Sequence, residues 1–296
     1  MNIDWRSWPP GALEAVYNPR AAMPDAEQAL AERSAMSAAA LQGLRGHWRI
    51  DEDLRYGEGP LQTFDLFRPL RQQGPARALA VFIHGGYWRA LDKRDTALVV
   101  PPLLEAGAVV ANLNYDLCPA VTLDRIVDEI VEGVRHCHAH AAQWGADPAR
   151  LILMGHSAGA HLAASVLARE PDRLGLPADC LAGIVAISGI YEPEVVLGIS
   201  VNELVRLDPA TARRHDCLIR EPRRVIPAVV SAGAAEPEGW IDQSRRYAGL
   251  LRLHGCPCIE AVIPAANHFT VLDTTFAAGS DTQRAIRALL AQTAAD

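Results

Sequence analysis

At 296 residues, half of them hydrophobic, the chain is long enough to build one large α/β domain around a sizeable core. Its formal net charge of −7, without a run of like charges, argues against nucleic acid and anionic membrane surfaces as partners. No apolar stretch reaches the roughly 18 residues of a membrane span, residues 1–20 lack a secretion-signal pattern, and six scattered cysteines read as reduced thiols; a cytoplasmic protein is expected.

Residues 1 to about 46 read as an N-terminal arm, broken by Pro9, Pro10, Pro19 and Pro24, whose alanine-rich helix "DAEQALAERSAMSAAALQG" takes Asp25 as its cap. Residues 47–296 read as a single domain. "HWRIDEDLRYG" and "LQTFDLFRP" form a hairpin, and "ALAVFIHGG" is a buried strand ending in glycines. "KRDTALVVPPLLEAG" is a helix with an irregularity at Pro101 and Pro102. Strand "AVVANLNYD" precedes a long amphipathic helix starting near Thr122. Strand "RLILMG" leads to a helix from Ala158, and "CLAGIVAISG" to a polar insertion over about 190–224. "VIPAVVSAG" with helix "IDQSRRYAGLLRLHG", then "CIEAVIPAA" with helix "TQRAIRALLAQ", complete the chain. Apolar strands alternating with amphipathic helices predict a mostly parallel, eight-stranded sheet covered on both faces. The arm and the insertion are the candidate covers for a site.

Gly155-His156-Ser157-Ala158-Gly159 lies between a strand and a helix, the setting a nucleophile elbow requires. The sharp reversal strains the serine, the glycines permit close passage, and the helix N-terminus favours negative charge at the hydroxyl. One βαβ unit earlier, a strand ends in His84-Gly85-Gly86, so the amides of Gly85, Gly86 and Ala158 are candidate donors to an oxyanion. A base must follow the serine, and the candidates are His215, His254 and His268. His268 is preferred because it directly follows the last strand. For the acid, Glu236 comes first past its strand end; Glu238 and Asp242, the alternatives, read as the start of the next helix.

"HGGYW" together with "GHSAGAHLAA" resembles the kynurenine formamidase (arylformamidase) branch of the α/β-hydrolases, relatives of the hormone-sensitive-lipase-like esterases. The likeness extends to "YDLCP", "TLDRIVDEI", "SGIYEPE", "QSRRYAGLL" and "NHF", and thins over "GISVNELVRLDPATARRHDCLIREPRR". It implies an α/β-hydrolase fold, a triad of Ser157, Glu236 and His268, and an oxyanion hole at Gly85, Gly86 and Ala158. Animal members carry Asp where Glu236 falls. The activity implied is hydrolysis of an aryl formamide, a step of tryptophan catabolism, with no metal or organic cofactor. Tyr87 and Trp88 are then candidates for an apolar wall against the aryl group, and Arg89 and Lys93 for a cation facing a substrate carboxylate. The runner-up is a carboxylesterase for small acyl esters. A catalytically dead fold serving as a binding module is disfavoured, because both serine and histidine are present.

Other signals read as structural. His136 and His140 stand four apart, the spacing of a two-histidine metal face, but no third ligand is identifiable. Cys256 and Cys258 lack the two-residue spacer of a redox pair. His161 reads as structural or pocket-lining, and the sequence leaves open whether Asn112 and Asp116, near a strand's carboxyl end, reach the site. The expected partner is a small-molecule substrate; the oligomeric state is left open, a homo-oligomer included.

Overall fold

The computed structural model describes residues 4–71, 74–177 and 179–292, so the first three residues of the arm and the last four of the chain lie outside the described residues. Eight strands form one sheet: β1 (Trp48–Arg55), β2 (Thr63–Pro69), β3 (Arg77–Ile83), β4 (Val109–Leu113), β5 (Ala146–His156), β6 (Leu181–Ile187), β7 (Ala228–Gly233) and β8 (Cys258–Ile263). Their order is β1-β2-β4-β3-β5-β6-β7-β8, antiparallel from β1 through β2 to β4 and parallel in every other pairing. The helices are α1 (Pro10–Tyr17), α2 (Pro19–Ala22), α3 (Ala26–Leu44), α4 (Val100–Glu105), α5 (Leu123–His140) and α6 (Ala158–Leu167). They continue as α7 (Pro171–Leu174), α8 (Asn202–Val205), α9 (Pro209–Arg214), α10 (Glu238–Leu253), α11 (Val271–Thr275) and α12 (Asp281–Ala291).

Strand β3 shows why its sequence is apolar without a break. Successive side chains point to opposite faces. Leu79, Val81 and Ile83 enter one hydrophobic cluster while Ala78, Ala80 and Phe82 enter the other. Both faces are covered, as a parallel sheet requires. The register then decides which loops are neighbours. Ile83 pairs with Gly155, so the turns after β3 and β5 lie side by side. Gly233 pairs with Ile263, so the loops after β7 and β8 do the same.

The arm is part of this core. Trp5, Leu13 and Tyr17 belong to the same cluster as Leu79. The Trp240 indole N–H on α10 donates to the Val16 carbonyl at 3.0 Å. The Ser37 hydroxyl on α3 donates to the Asp95 carbonyl at 3.0 Å, and Ser34 donates to the Asp95 carboxylate at 3.1 Å.

Three local expectations are corrected. Asp25 occupies the position before α3, but its side chain makes no cap bond. The irregularity in the 93–105 segment precedes Pro101 and Pro102: Lys93–Val99 is a 3₁₀ helix and α4 begins at Val100. Proline lacks an N–H and is accommodated only in a first turn, so the α-helix starts where the prolines allow. The 190–224 insertion, expected to border the pocket, packs beside α1 through its 193–198 turn and lines no part of the cavity described below. Among the described residues no helix is long and apolar enough to cross a membrane.

Candidate active site

Ser157 stands at the junction of β5 and α6 with φ 57° and ψ −119°, a left-handed backbone that costs a serine on the order of 1–3 kcal/mol. Its surroundings hold it there. The Ser157 N–H donates to the Ile187 carbonyl at 2.8 Å, and its own carbonyl receives the first bonds of α6. The glycines are required by close passage: a Cβ on Gly155 would lie 2.3 Å from the carbonyl carbon of Gly159, and one on Gly159 2.0 Å from the carbonyl oxygen of Ile83.

His268 follows β8 in a loop tied by Asn267, whose side-chain oxygen accepts the N–H groups of Phe269 at 2.9 Å and Thr270 at 3.0 Å. Its Nε2 lies 3.0 Å from the Ser157 hydroxyl oxygen, and its Nδ1 2.7 Å from Glu236 Oε2. A carboxylate can only accept, so Nδ1 carries the proton and Nε2 is free to take one from Ser157. The other oxygen of Glu236 is also held, accepting the Gly233 N–H at 2.6 Å and the Ser188 hydroxyl. The indole of Trp240 packs against the imidazole, ring centres 4.2 Å apart. The structure therefore brings Ser157, His268 and Glu236 into one hydrogen-bonded line, all three buried.

The alternative candidates go elsewhere. Glu238 is exposed and pairs with Arg245, and Asp242 is buried on α10 within 3.6 Å of Arg246. His215 pairs with Asp124 at 2.6 Å, and His254 terminates α10. Nε2–H of His161 donates to the His215 carbonyl at 2.8 Å, and burial pushes the His161 pKa down to about 3, so this ring is neutral scaffolding. Asn112 donates to the Lys93 carbonyl, and Asp116 accepts the Leu61 N–H; neither lines the pocket that holds Ser157. His136 and His140 stack on each other and His140 stacks on Trp144. Cys256 is buried and Cys258 half-buried, both free.

A pocket of about 520 Å³, open solvent at its mouth included, lies beside Ser157 and His268. The arm contributes Arg20, Leu30 and Arg33, and the loop after β3 contributes Gly86, Tyr87 and Arg89. No backbone hydrogen bond occupies the amides of Gly85, Gly86 or Ala158 among the described residues. Gly86 lines the pocket, while Gly85 packs behind it, where a Cβ would lie 3.1 Å from that of Ser157. The loop's path is set by buried polar groups. The His84 ring stacks on Tyr115 with centres 4.3 Å apart, its Nε2 is 2.8 Å from the Asn114 side-chain oxygen, and burial lowers its pKa.

Two expectations about this loop are corrected. Trp88 does not line the pocket: it is fully buried, edge-on to His161 at 5.0 Å, and its carbonyl accepts the Cys118 N–H at 2.8 Å. Tyr87 does line it, with its hydroxyl donated to the Tyr17 carbonyl of the arm. Lys93 also points away, buried between Asp53 at 2.6 Å and Asp65 at 3.1 Å. Among the candidate cations only Arg89 reaches the pocket. Sequence reasoning missed Arg33, Ser188, Asn114 and Trp240. Each comes to the site or to its supporting loops from a segment distant along the chain, for which no local pattern exists.

With this geometry in place, the chain's likenesses can be read. The BD-FAE family profile matches residues 64–175, a stretch holding both the His84–Trp88 loop and the serine elbow. The kynurenine formamidase of Drosophila melanogaster is 28% identical over 253 residues, 80% of each chain. That of Danio rerio is 26% identical over 283 residues, 91% of this chain and 92% of the other. The crystal structure of a candidate thioesterase from Silicibacter sp. superposes with a TM-score of 0.79 at 28% identity, covering 95% of this chain and 99% of that one. The chain is a hydrolase with the α/β-hydrolase fold, and its likeness to the kynurenine formamidases runs over most of its length.

Proposed function

We propose that Ser157, His268 and Glu236 are the catalytic triad of a serine hydrolase acting on aryl formamides of the N-formylkynurenine kind. The observation that carries the triad is the line from the Ser157 hydroxyl through both His268 nitrogens to a Glu236 carboxylate that is itself held on its other oxygen. The formamide substrate comes from the named activity of the two relatives and from a pocket walled by Tyr87 beside the serine.

In this reading His268 Nε2 takes the hydroxyl proton as Ser157 attacks the formyl carbon, and Glu236 orients the ring and stabilises its charged form. The oxyanion meets the amides of Gly86 and Ala158, with Gly85 as the third candidate. The carbon–nitrogen bond then breaks and His268 returns the proton to the departing aryl amine. Water, deprotonated by the same nitrogen, releases formate and restores the serine. Every proton is handled by the chain's own groups. A formyl group is small and an anilide nitrogen delocalises into its ring, so a tight acyl side and an aromatic wall suit this chemistry. A cytoplasmic location completes the proposal, in keeping with six free cysteines.

The test is kcat/KM on N-formylkynurenine beside p-nitrophenyl acetate. Efficient formamide cleavage supports the reading. An ester rate higher by orders of magnitude replaces it with a small-ester carboxylesterase.

A further inference from the structure

The walls of the pocket beside Ser157 carry three arginines, Arg20, Arg33 and Arg89, and no Asp or Glu. That is a local reversal in a chain of net charge −7. Arg33 is the unusual member. It lies on α3, is only 4% exposed, and makes no ion pair or hydrogen bond through Nε or Nη2 among the described residues. Those two nitrogens form the side-on edge of a guanidinium, the fork that matches the two oxygens of a carboxylate. A guanidinium cannot shed its charge at accessible pH, so burial without an acceptor costs several kcal/mol. Asp95 and Asp273 act on it only at a distance, without a contact. Arg89, part-buried, likewise has its Nε without a partner, whereas exposed Arg20 has Glu27 at 3.5 Å. Water can satisfy N–H groups but not the accumulated charge. An anion satisfies both.

We propose that this pocket recognises substrates bearing a carboxylate, with Arg33 of the N-terminal arm as the bidentate anchor and Arg89 as its second cation. The arm is then a specificity element of the site, delivering a charge to a serine more than a hundred residues away. The proposal rests on the reading that Ser157 is the nucleophile, and it adds the residues that select the substrate.

The experiment uses the full chain and two readouts. In the first, kcat/KM is compared for N-formylanthranilate and neutral formanilide in wild type, Arg33→Met and Arg89→Met. The wild type should favour the anion by at least tenfold, and Arg33→Met should reduce that ratio by about 10- to 100-fold, the scale of a lost charge-assisted pair. In the second, anthranilate and its neutral amide are tested as competitive inhibitors of p-nitrophenyl acetate hydrolysis. Anthranilate should inhibit the wild type, and its Ki should rise at least tenfold in either variant. If Arg33→Met fails to fold, the Ki of anthranilate with Arg89→Met decides. An unchanged anion-to-neutral ratio, or an anthranilate Ki that does not move, overturns the proposal. Failure of the underlying reading looks different: activity on all these substrates would survive Ser157→Ala.

Discussion

Gly159 on α6 meets the carbonyl oxygen of Ile83 on β3 so closely that a Cβ there would lie 2.0 Å from it. This contact locks the serine elbow against the strand that leads into the His84–Trp88 loop, so Ser157 and the Gly85–Gly86 turn share one rigid frame. Gly159→Ala must push two backbone segments apart and should cost about 3 kcal/mol or more, with most activity lost. Gly43→Ala, on α3 with nothing within 4 Å of the new Cβ, should instead be neutral or gain up to about 1 kcal/mol. Thermal melts of both variants check this, and a wild-type melting temperature for Gly159→Ala would refute the close approach.

Ser157→Ala should lower turnover by about 10⁴-fold or more while leaving the melting temperature near that of wild type. A serine-directed phosphonate should label Ser157 stoichiometrically, read by peptide mapping. Label on another residue would remove Ser157 from its role.

Glu236→Gln should reduce kcat by on the order of 10³- to 10⁴-fold, because the amide cannot hold His268 in the required tautomer. Glu238→Gln, exposed and paired with Arg245, should change little. Ser188→Ala removes one donor from Glu236 and should cost about tenfold in kcat. A crippled Glu238→Gln or Asp242→Asn would show that the acid is misassigned.

Trp88→Ala tests the corrected placement of that side chain. A fully buried tryptophan should cost about 3–5 kcal/mol of stability on truncation. Measured below the variant's melting temperature, KM for an aryl formamide should change no more than KM for p-nitrophenyl acetate. A selective loss of aryl binding would return Trp88 to the pocket wall.

Asp216 gives the protein a pH-dependent stability. Burial pushes its pKa up to about 6, against 3.8 in an unfolded chain. The folded state therefore holds the proton more tightly, and the contribution is fully present below about pH 4 and lost as pH rises through about 6. Asn at this position keeps the oxygen that accepts the Leu218 N–H and cannot ionise. Asp216→Asn should be more stable than wild type at pH 7.5, by up to about 3 kcal/mol, and gain little at pH 4.5. Denaturant melts at the two pH values read the difference; an equal effect at both would contradict the buried, proton-holding carboxyl.

The sequence by itself determined the strands, the elbow at Ser157, the glycine turn at Gly85 and Gly86, and the choice of His268 and Glu236 by position after their strands. These are short-range matters: period-two burial, turn chemistry and the order of βα units. Side-chain direction within the loop was beyond it. Tyr87 and Trp88 both adopt positive φ, at 50° and 57°, so no strand-like alternation says which of the two faces the pocket. Packing decided, by burying Trp88 against His161 and tying Tyr87 to the arm. Lys93 was claimed by Asp53 and Asp65, carboxylates brought to it by the antiparallel β1–β2 hairpin. Arg33 has no sequence signature at all. It reaches the pocket only because Ser34 and Ser37 pin α3 to the 93–99 turn, a contact between segments some sixty residues apart that exists only once the sheet has formed.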